Sequence, residues 1–235
     1  MDEPGTVAGR GAPPERHDAV PAPDRPTPSA ARRTHPPRGL HAAVVAAALV
    51  PAVLILAALA SDALQGTRYL GSNPIKEAEH RTGAWALRFL GLTLAVTPAV
   101  RLAGRGWLMR YRRTFGLVAF GYAVLHLLVY AVLDVELSWG EMLEDVAKRL
   151  YITIGMTAFV LLVPLALTST RASVRRLGSR RWTRLHRAVY ACAVLGVVHF
   201  WMSVKQDILA PLVYALVLSA LLGWRVRRGT RRAGA

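Results

Sequence analysis

The sequence predicts an all-helical integral membrane protein, a bundle of about six transmembrane helices with both chain termini in the cytoplasm. Hydrophobic residues make up 53% of the 235 residues, and they are concentrated in long blocks. The 30 lysines and arginines lie almost entirely between these blocks, outside the expected lipid core. No segment alternates apolar and polar residues as a half-buried strand does, so strands are not expected.

The first 38 residues differ in composition from the rest of the chain. They contain 9 of its 14 prolines and almost no large apolar side chains. Such a segment buries too little apolar surface to offset the entropy lost on ordering. We therefore expect residues 1–38 to form a disordered, proline-rich cytoplasmic tail. A transmembrane domain over 39–228 and a short basic cytoplasmic tail over 229–235 would follow.

Six apolar segments are long enough to cross a bilayer. The hydrocarbon core is about 30 Å thick, which requires roughly 20 apolar residues in a helix. The last two segments are separated only by residues 205–207, which predicts a tight antiparallel hairpin. The predicted spans are 40–61, 84–103, 115–133, 151–168, 188–204 and 208–226.

Basic residues alternate between the two sides of the predicted bundle. The segments assigned to the cytoplasmic side carry 23 lysines and arginines, and those assigned to the other side carry 6. Cytoplasmic loops of membrane proteins are enriched in these residues. The sequence therefore predicts a multi-pass protein of the bacterial inner membrane, with the lipid bilayer as its constant partner.

The net charge of +16 also raises the possibility of nucleic-acid binding. That function needs a soluble fold with a basic face, and the apolar blocks leave no room for one. We expect no nucleic-acid partner. The single cysteine, Cys192, excludes a disulfide framework or a thiolate metal cluster.

Two connecting segments have unusual composition. Residues 134–150 are acidic and are consistent with a short amphipathic helix on the membrane surface, or with a solvated loop that Trp139 anchors. Residues 171–187 contain seven arginines and no acid. These arginines would keep the segment on the cytoplasmic side and contact anionic lipids, or they would contact phosphate or propionate groups of a cofactor.

His126 and His199 are the ionisable residues that lie deepest in the predicted spans. Each is 11 residues from the cytoplasmic start of its span, or about 16 Å along a helix. Two histidines at equal depth on facing helices can supply both axial ligands of one haem iron, an arrangement suited to electron transfer. The alternative is a buried neutral histidine that hydrogen-bonds to a carbonyl or to water.

His186 lies 13 residues before His199. On an ideal helix the two side chains would point away from each other, although bending or overwinding would bring them closer to one face. His186 would ligate a second haem with an unusual partner, touch another cofactor, or lie at the interface.

Arg112 and Arg113 occupy the matching depth of the third span. Arg88 and Arg113 are candidate contacts for a propionate or phosphate group, with snorkelling as the alternative for Arg88.

Three stretches of the sequence together carry a family resemblance: SNPIKEAEHRTGAWALRFLGLTLAVTPAVRL, YITIGMTAFVLLVPLALTST and RRLGSRRWTRLHRAVYACAVLGVVHF. They resemble the YedZ/MsrQ family, the haem-binding membrane subunits of the periplasmic methionine-sulfoxide reductase system, within the ferric-reductase-like transmembrane group. The resemblance covers roughly residues 40–228 and implies that 39–228 form a ferric-reductase-like transmembrane haem domain.

The resemblance implies one or two b-type haems whose iron is ligated by His126, His186 and His199. It also implies FMN, without placing its residues. Electrons would come from the quinone pool or a cytoplasmic flavin reductase and pass to a periplasmic molybdopterin-dependent methionine-sulfoxide reductase. The chain would then be an electron-transfer subunit and not the catalytic one. The alternatives are a transmembrane metal reductase-type carrier and a proton or ion transporter that uses the intramembrane histidines.

Overall fold

The computed structural model describes residues 39–204 and 208–233, and within these ranges the protein is helical with no strand. The tail over 1–38 and the hairpin connection over 205–207 lie outside the described residues. The described ranges contain nine α-helices: α1 Leu40–Gln65, α2 Pro74–Ala103, α3 Met109–Val129, α4 Trp139–Lys148, α5 Leu150–Leu167, α6 Arg171–Leu177, α7 Ser179–His186, α8 Ala188–Ser203 and α9 Leu209–Ala233.

The prediction of an all-helical membrane protein is confirmed. Five helical segments of the described chain are long and apolar enough to cross a membrane, and the apolar part of α9 over Leu209–Arg225 is shorter. The protein is therefore a multi-pass membrane protein, and the orientation of its termini stays a prediction. The five segments are Leu40–Gln65, Pro74–Ala103, Gly106–Asp134, Leu150–Leu167 and Ser179–Ser203.

Helix α2 begins ten residues before the predicted start of the second span at residue 84. The Asn73 side chain caps the helix by accepting a hydrogen bond from the Lys76 backbone N–H at 3.1 Å. Pro74 occupies the first turn, where its missing N–H costs nothing and its fixed φ suits a helix. The predicted spans left residues 62–83 as a connection, but 62–65 belong to α1 and 74–83 belong to α2. Residues 74–83 extend α2 toward the site described below.

The amphipathic segment after α3 is a helix, as one of the two sequence interpretations expected. Helix α4 begins after Ser138, whose hydroxyl accepts a hydrogen bond from the Glu141 N–H. Trp139 and Leu143 are 74% and 71% exposed, so its apolar face is only partly covered by the protein. Its position on a membrane surface stays a prediction. The basic segment 171–187 contains helices α6 and α7, which are separated by Gly178 at a φ of 74°.

An aromatic core joins α2 to α3. The rings of Phe89 and Tyr122 stack with their centroids 5.4 Å apart, and Trp85 lies beside both. Helix α2 packs mainly on α3, and α5 packs mainly on α8. These four helices surround the cavity that contains the two central histidines.

Tyr122 also attaches α1 to the bundle. Its hydroxyl accepts a hydrogen bond from the Ala52 N–H at 3.0 Å and donates one to the Ala48 carbonyl at 2.8 Å. Ala48 and Ala52 are four residues apart and would bond to each other in a regular helix. The Tyr122 hydroxyl therefore bonds to both backbone groups of one helical turn of α1, beside Pro51.

Candidate functional site

A cavity of about 450 Å³ lies between α2, α3, α5 and α8. His126 of α3 and His199 of α8 form part of its wall. Most of the remaining wall is apolar, with side chains such as Leu87, Leu127 and Phe159. The cavity therefore combines a low-dielectric interior with two imidazoles.

The two imidazoles face each other across a short gap. The centroids of the His126 and His199 rings are 6.1 Å apart, and the ring planes are inclined at 74°. The sequence predicts that the two histidines lie at equal depth, and the structure shows that they are also close to each other across the bundle.

Both histidines are oriented by backbone carbonyls. The Nδ1 atom of His126 lies 2.9 Å from the Glu79 carbonyl, and Nδ1 of His199 lies 2.7 Å from the Tyr151 carbonyl. A carbonyl oxygen only accepts, so each Nδ1–H donates, and the lone pair of the neutral imidazole is on Nε2. Metal-ligating histidines are commonly held in this way.

Two glycines make room for these rings. A Cβ at Gly155 would lie 2.7 Å from Nδ1 of His199, and one at Gly83 would lie 3.3 Å from Nδ1 of His126. The first distance is shorter than any ordinary non-bonded contact, so His199 would have to move. The helices approach closely because these two positions carry no side chain.

These features fit axial ligation of haem. A metal–imidazole nitrogen bond is about 2 Å long, so two rings on opposite sides of one metal have centres roughly 6 Å apart. The observed spacing agrees with this value. The alternative of simple carbonyl-bound histidines accounts for Nδ1 but leaves each Nε2 without a hydrogen bond to any residue in the described ranges.

A polar group forms one part of the cavity wall, which the apolar pattern of the sequence does not indicate. Lys76 Nζ lies 3.3 Å from Glu79 Oε2 and 2.5 Å from Asp134 Oδ2. All three residues line the cavity, as does His80, whose ring packs edge-on against Phe200. Lys76 and Glu79 are three residues apart, a spacing that indicates an ion pair only if the segment is helical. The apolar pattern gives no sign of a helix here, because residues 74–83 lie outside the predicted spans.

His186 lies outside this cavity. Its ring stacks on Trp182 with centroids 4.0 Å apart, and its Nε2 lies 3.0 Å from the Thr168 hydroxyl. That hydroxyl donates to the Pro164 carbonyl at 2.6 Å, so Nε2–H is the donor to Thr168. His186 therefore differs from the central pair, which donate through Nδ1 and keep the lone pair on Nε2, and its role as a ligand stays a prediction.

The two candidate arginines also lie away from the histidine cavity. Arg88 donates to the Tyr214 hydroxyl at 2.8 Å and covers the Trp85 ring at 4.5 Å. Arg113 lines a separate groove of about 780 Å³ between α1 and α3. Their proposed contacts with a propionate or phosphate group stay predictions.

Comparison with known proteins gives a consistent result. The family model described as "Ferric reductase like transmembrane component" matches residues 82–197. A Xanthomonas campestris pv. campestris protein called "Protein-methionine-sulfoxide reductase heme-binding subunit MsrQ" is 49% identical over 195 residues, which cover 82% of this chain and 89% of the relative. A protein of the same name from Azospira oryzae is 47% identical over 196 residues, which cover 83% of this chain and 82% of the relative.

Proposed function

The chain belongs to the family of MsrQ heme-binding subunits of protein-methionine-sulfoxide reductase, and on this premise we propose that it carries electrons through haem b held between His126 and His199. The observation that carries the proposal is the pair of imidazoles 6.1 Å apart. Each is held through Nδ1 by a carbonyl, which leaves Nε2 available as a ligand.

The chain's own residues set what this site can do. His126 and His199 would both hold the haem iron through Nε2, and such a pair of imidazole ligands suits electron transfer over oxygen chemistry. Haem, when bound, supplies an iron that takes up and releases single electrons. The apolar walls exclude water, and the carbonyls of Glu79 and Tyr151 keep the rings in one orientation. Electron transfer with little rearrangement is the function that such a site supports.

The electron path beyond this site follows from the family and from the predicted orientation. We propose a periplasmic, molybdopterin-dependent methionine-sulfoxide reductase as the acceptor, and the quinone pool or a cytoplasmic flavin reductase as the donor. A second haem ligated by His186, and FMN, belong to the same proposal. The membrane would be the bacterial inner membrane, with the part of the cavity that Lys76 and Asp134 line toward the periplasm.

The first experiment is the visible spectrum of the detergent-purified protein before and after reduction with dithionite. We expect the sharp reduced bands of six-coordinate b-type haem, and a pyridine haemochrome assay then gives the number of haems per chain. Cells supplied with haem precursor are needed so that the cofactor is not limiting.

Coupling to the acceptor is tested separately. The reduced protein, mixed with the purified catalytic subunit and methionine sulfoxide, should be reoxidised at a rate that depends on the catalytic subunit's concentration. Colourless protein would contradict the haem proposal. Coloured protein that is reoxidised equally fast without the catalytic subunit would contradict only the proposed partner.

A further inference from the structure

The described wall of the cavity between His126 and His199 is charged on one side of the two imidazoles. The rings lie at the level of Glu79 and Tyr151, whose carbonyls hold them. From this level toward the starts of α2 and α5 and past the end of α3, the charged wall residues are Lys76, Asp134 and Arg149. In the opposite direction along α2, α3, α5 and α8, the wall contains Leu90, Ala119, Leu162 and Cys192.

Haem has a matching asymmetry. It carries its propionate groups on one edge, and its opposite edge is apolar. A carboxylate placed against leucine and alanine side chains would lose its hydration without gaining a partner, which is strongly unfavourable. The distribution of charge in the wall therefore favours one orientation of haem between the imidazoles, with the propionates beside Lys76 and Arg149.

Arg149 is positioned at this wall by a residue outside the cavity. Its Nε lies 3.0 Å from Oδ1 of Asp145, which does not line the cavity. The other oxygen of Asp145 accepts a hydrogen bond from the Tyr130 hydroxyl at 3.0 Å. A guanidinium has several N–H donors, and Asp145 engages the one on Nε. Lys76 differs, because it is paired with both acids that line the cavity.

We infer that the haem of the proposed function lies with its propionate edge at the charged side of the cavity, and that Arg149 binds a propionate. The inference rests on that function and adds the orientation of the cofactor. A guanidinium matches a carboxylate through paired N–H donors. Arg88 and Arg113, which the sequence indicated for such a contact, do not line this cavity.

The chain offers a matched control next to Arg149. Lys148 carries the same charge, its side chain is 71% exposed, and it pairs with Glu144 without lining the cavity. The variants to compare with the wild-type protein are Arg149→Gln and Lys148→Gln. Each removes one positive charge, so a general effect of charge would act on both.

The experiment measures the rate at which haem passes from each purified holoprotein to an excess of apomyoglobin in one detergent. We expect Arg149→Gln to release haem about tenfold faster than the wild type, because a charge-assisted hydrogen bond is lost. Lys148→Gln should release it at the wild-type rate. Arg149→Lys, which keeps the charge but not the paired donors, should be intermediate and provides a second variant if the glutamine variant folds poorly.

A second arm uses haem dimethyl ester, whose propionates are uncharged. The full-length chain of each variant is reloaded with the ester, or with haem as the control, and the transfer is repeated. We expect all variants to release the ester at one rate, since Arg149 then has no carboxylate to bind. The effect of Arg149→Gln should thus be confined to the cofactor that carries charged propionates.

Equal rates of haem release from Arg149→Gln and Lys148→Gln would overturn the inference. So would an Arg149→Gln variant that releases haem and its ester faster by the same factor, because the arginine would then support the fold and not a propionate. These two results leave the haem site itself intact. Wild-type protein without haem would contradict the proposed function, and the inference would fall with it.

Discussion

Hydrogen bonds distinguish the three membrane histidines that the sequence singles out. His126 and His199 donate through Nδ1 to carbonyls, whereas His186 donates through Nε2 to Thr168. Because Nδ1 is engaged by a carbonyl, the Nε2 lone pair of each central histidine is the one available for a metal. The sequence shows which residues are histidine but does not show these partners.

Substitution of Gly155 by alanine should displace the His199 ring and thereby disturb the site. The added Cβ would lie 2.7 Å from Nδ1, so the ring would shift and its bond to Tyr151 would be lost. We expect a severalfold loss of haem or a change in the low-spin spectrum, measured as haem per protein. Helix propensity improves by about 1 kcal/mol in this change, so a weaker helix would not be the cause.

Two further glycines serve as controls for that measurement. Gly83→Ala, where the closest contact is 3.3 Å, should have a smaller effect, and Gly91→Ala, where no atom lies within 4 Å, should have none. An equal loss of haem in the Gly155 and Gly91 variants would show that the close contact with His199 is not responsible.

His186→Ala should leave the haem between His126 and His199 in place. The His186 ring stacks on Trp182 and does not line the cavity. We therefore expect loss of at most one of two haems, with the remaining spectrum unchanged. Complete loss of haem from this variant would contradict the separation of the two sites.

At the scale of helices, the sequence predicted which segments cross the membrane but not where each begins. Hydropathy identifies apolar blocks, whereas the start of α2 is decided by the Asn73 cap and Pro74. The polar residues at 74–83 lie outside the apolar block, yet they are helical, and Lys76, Glu79 and His80 among them line the cavity. The Lys76 ion pairs could not be predicted, because they depend on residues 74–83 being helical.

Tyr122→Phe should weaken the attachment of α1. The change removes the hydroxyl that bonds to Ala48 and Ala52, which should cost roughly 1 kcal/mol because the two backbone groups can partly re-pair. A lower midpoint of thermal unfolding in detergent is the expected result. Tyr69→Phe, at a residue 69% exposed, is the matched control and should unfold like the wild type. Equal midpoints for both variants would show that Tyr122 does not stabilise α1.

At the scale of the whole molecule, charge asymmetry predicts the orientation. The single cysteine is buried, so single-cysteine labelling needs only Cys192→Ala as background. In intact spheroplasts a membrane-impermeant maleimide should label Glu141→Cys on α4 and should label Arg176→Cys on α6 only after permeabilisation. Both positions are exposed. The reverse pattern would show that the termini face the periplasm.

The helical bundle was predictable because bilayer thickness sets the length of every span and the placement of basic residues marks every connection between spans. The candidate site was predictable only in part, since depth along a helix follows from counting residues and lateral packing does not. His126 and His199 were paired on depth alone. Their carbonyl partners, Gly83 and Gly155 depend on how the four helices pack, which no local pattern in the sequence records.

The most direct test of the central claim is the reduced-minus-oxidised spectrum, with haem content, of the His126→Ala and His199→Ala variants beside the wild-type protein. The account predicts that each substitution alone removes the haem between the two histidines, because both axial ligands are required. Full haem content and unchanged low-spin bands in either variant would contradict it, and the paired imidazoles would then need another explanation.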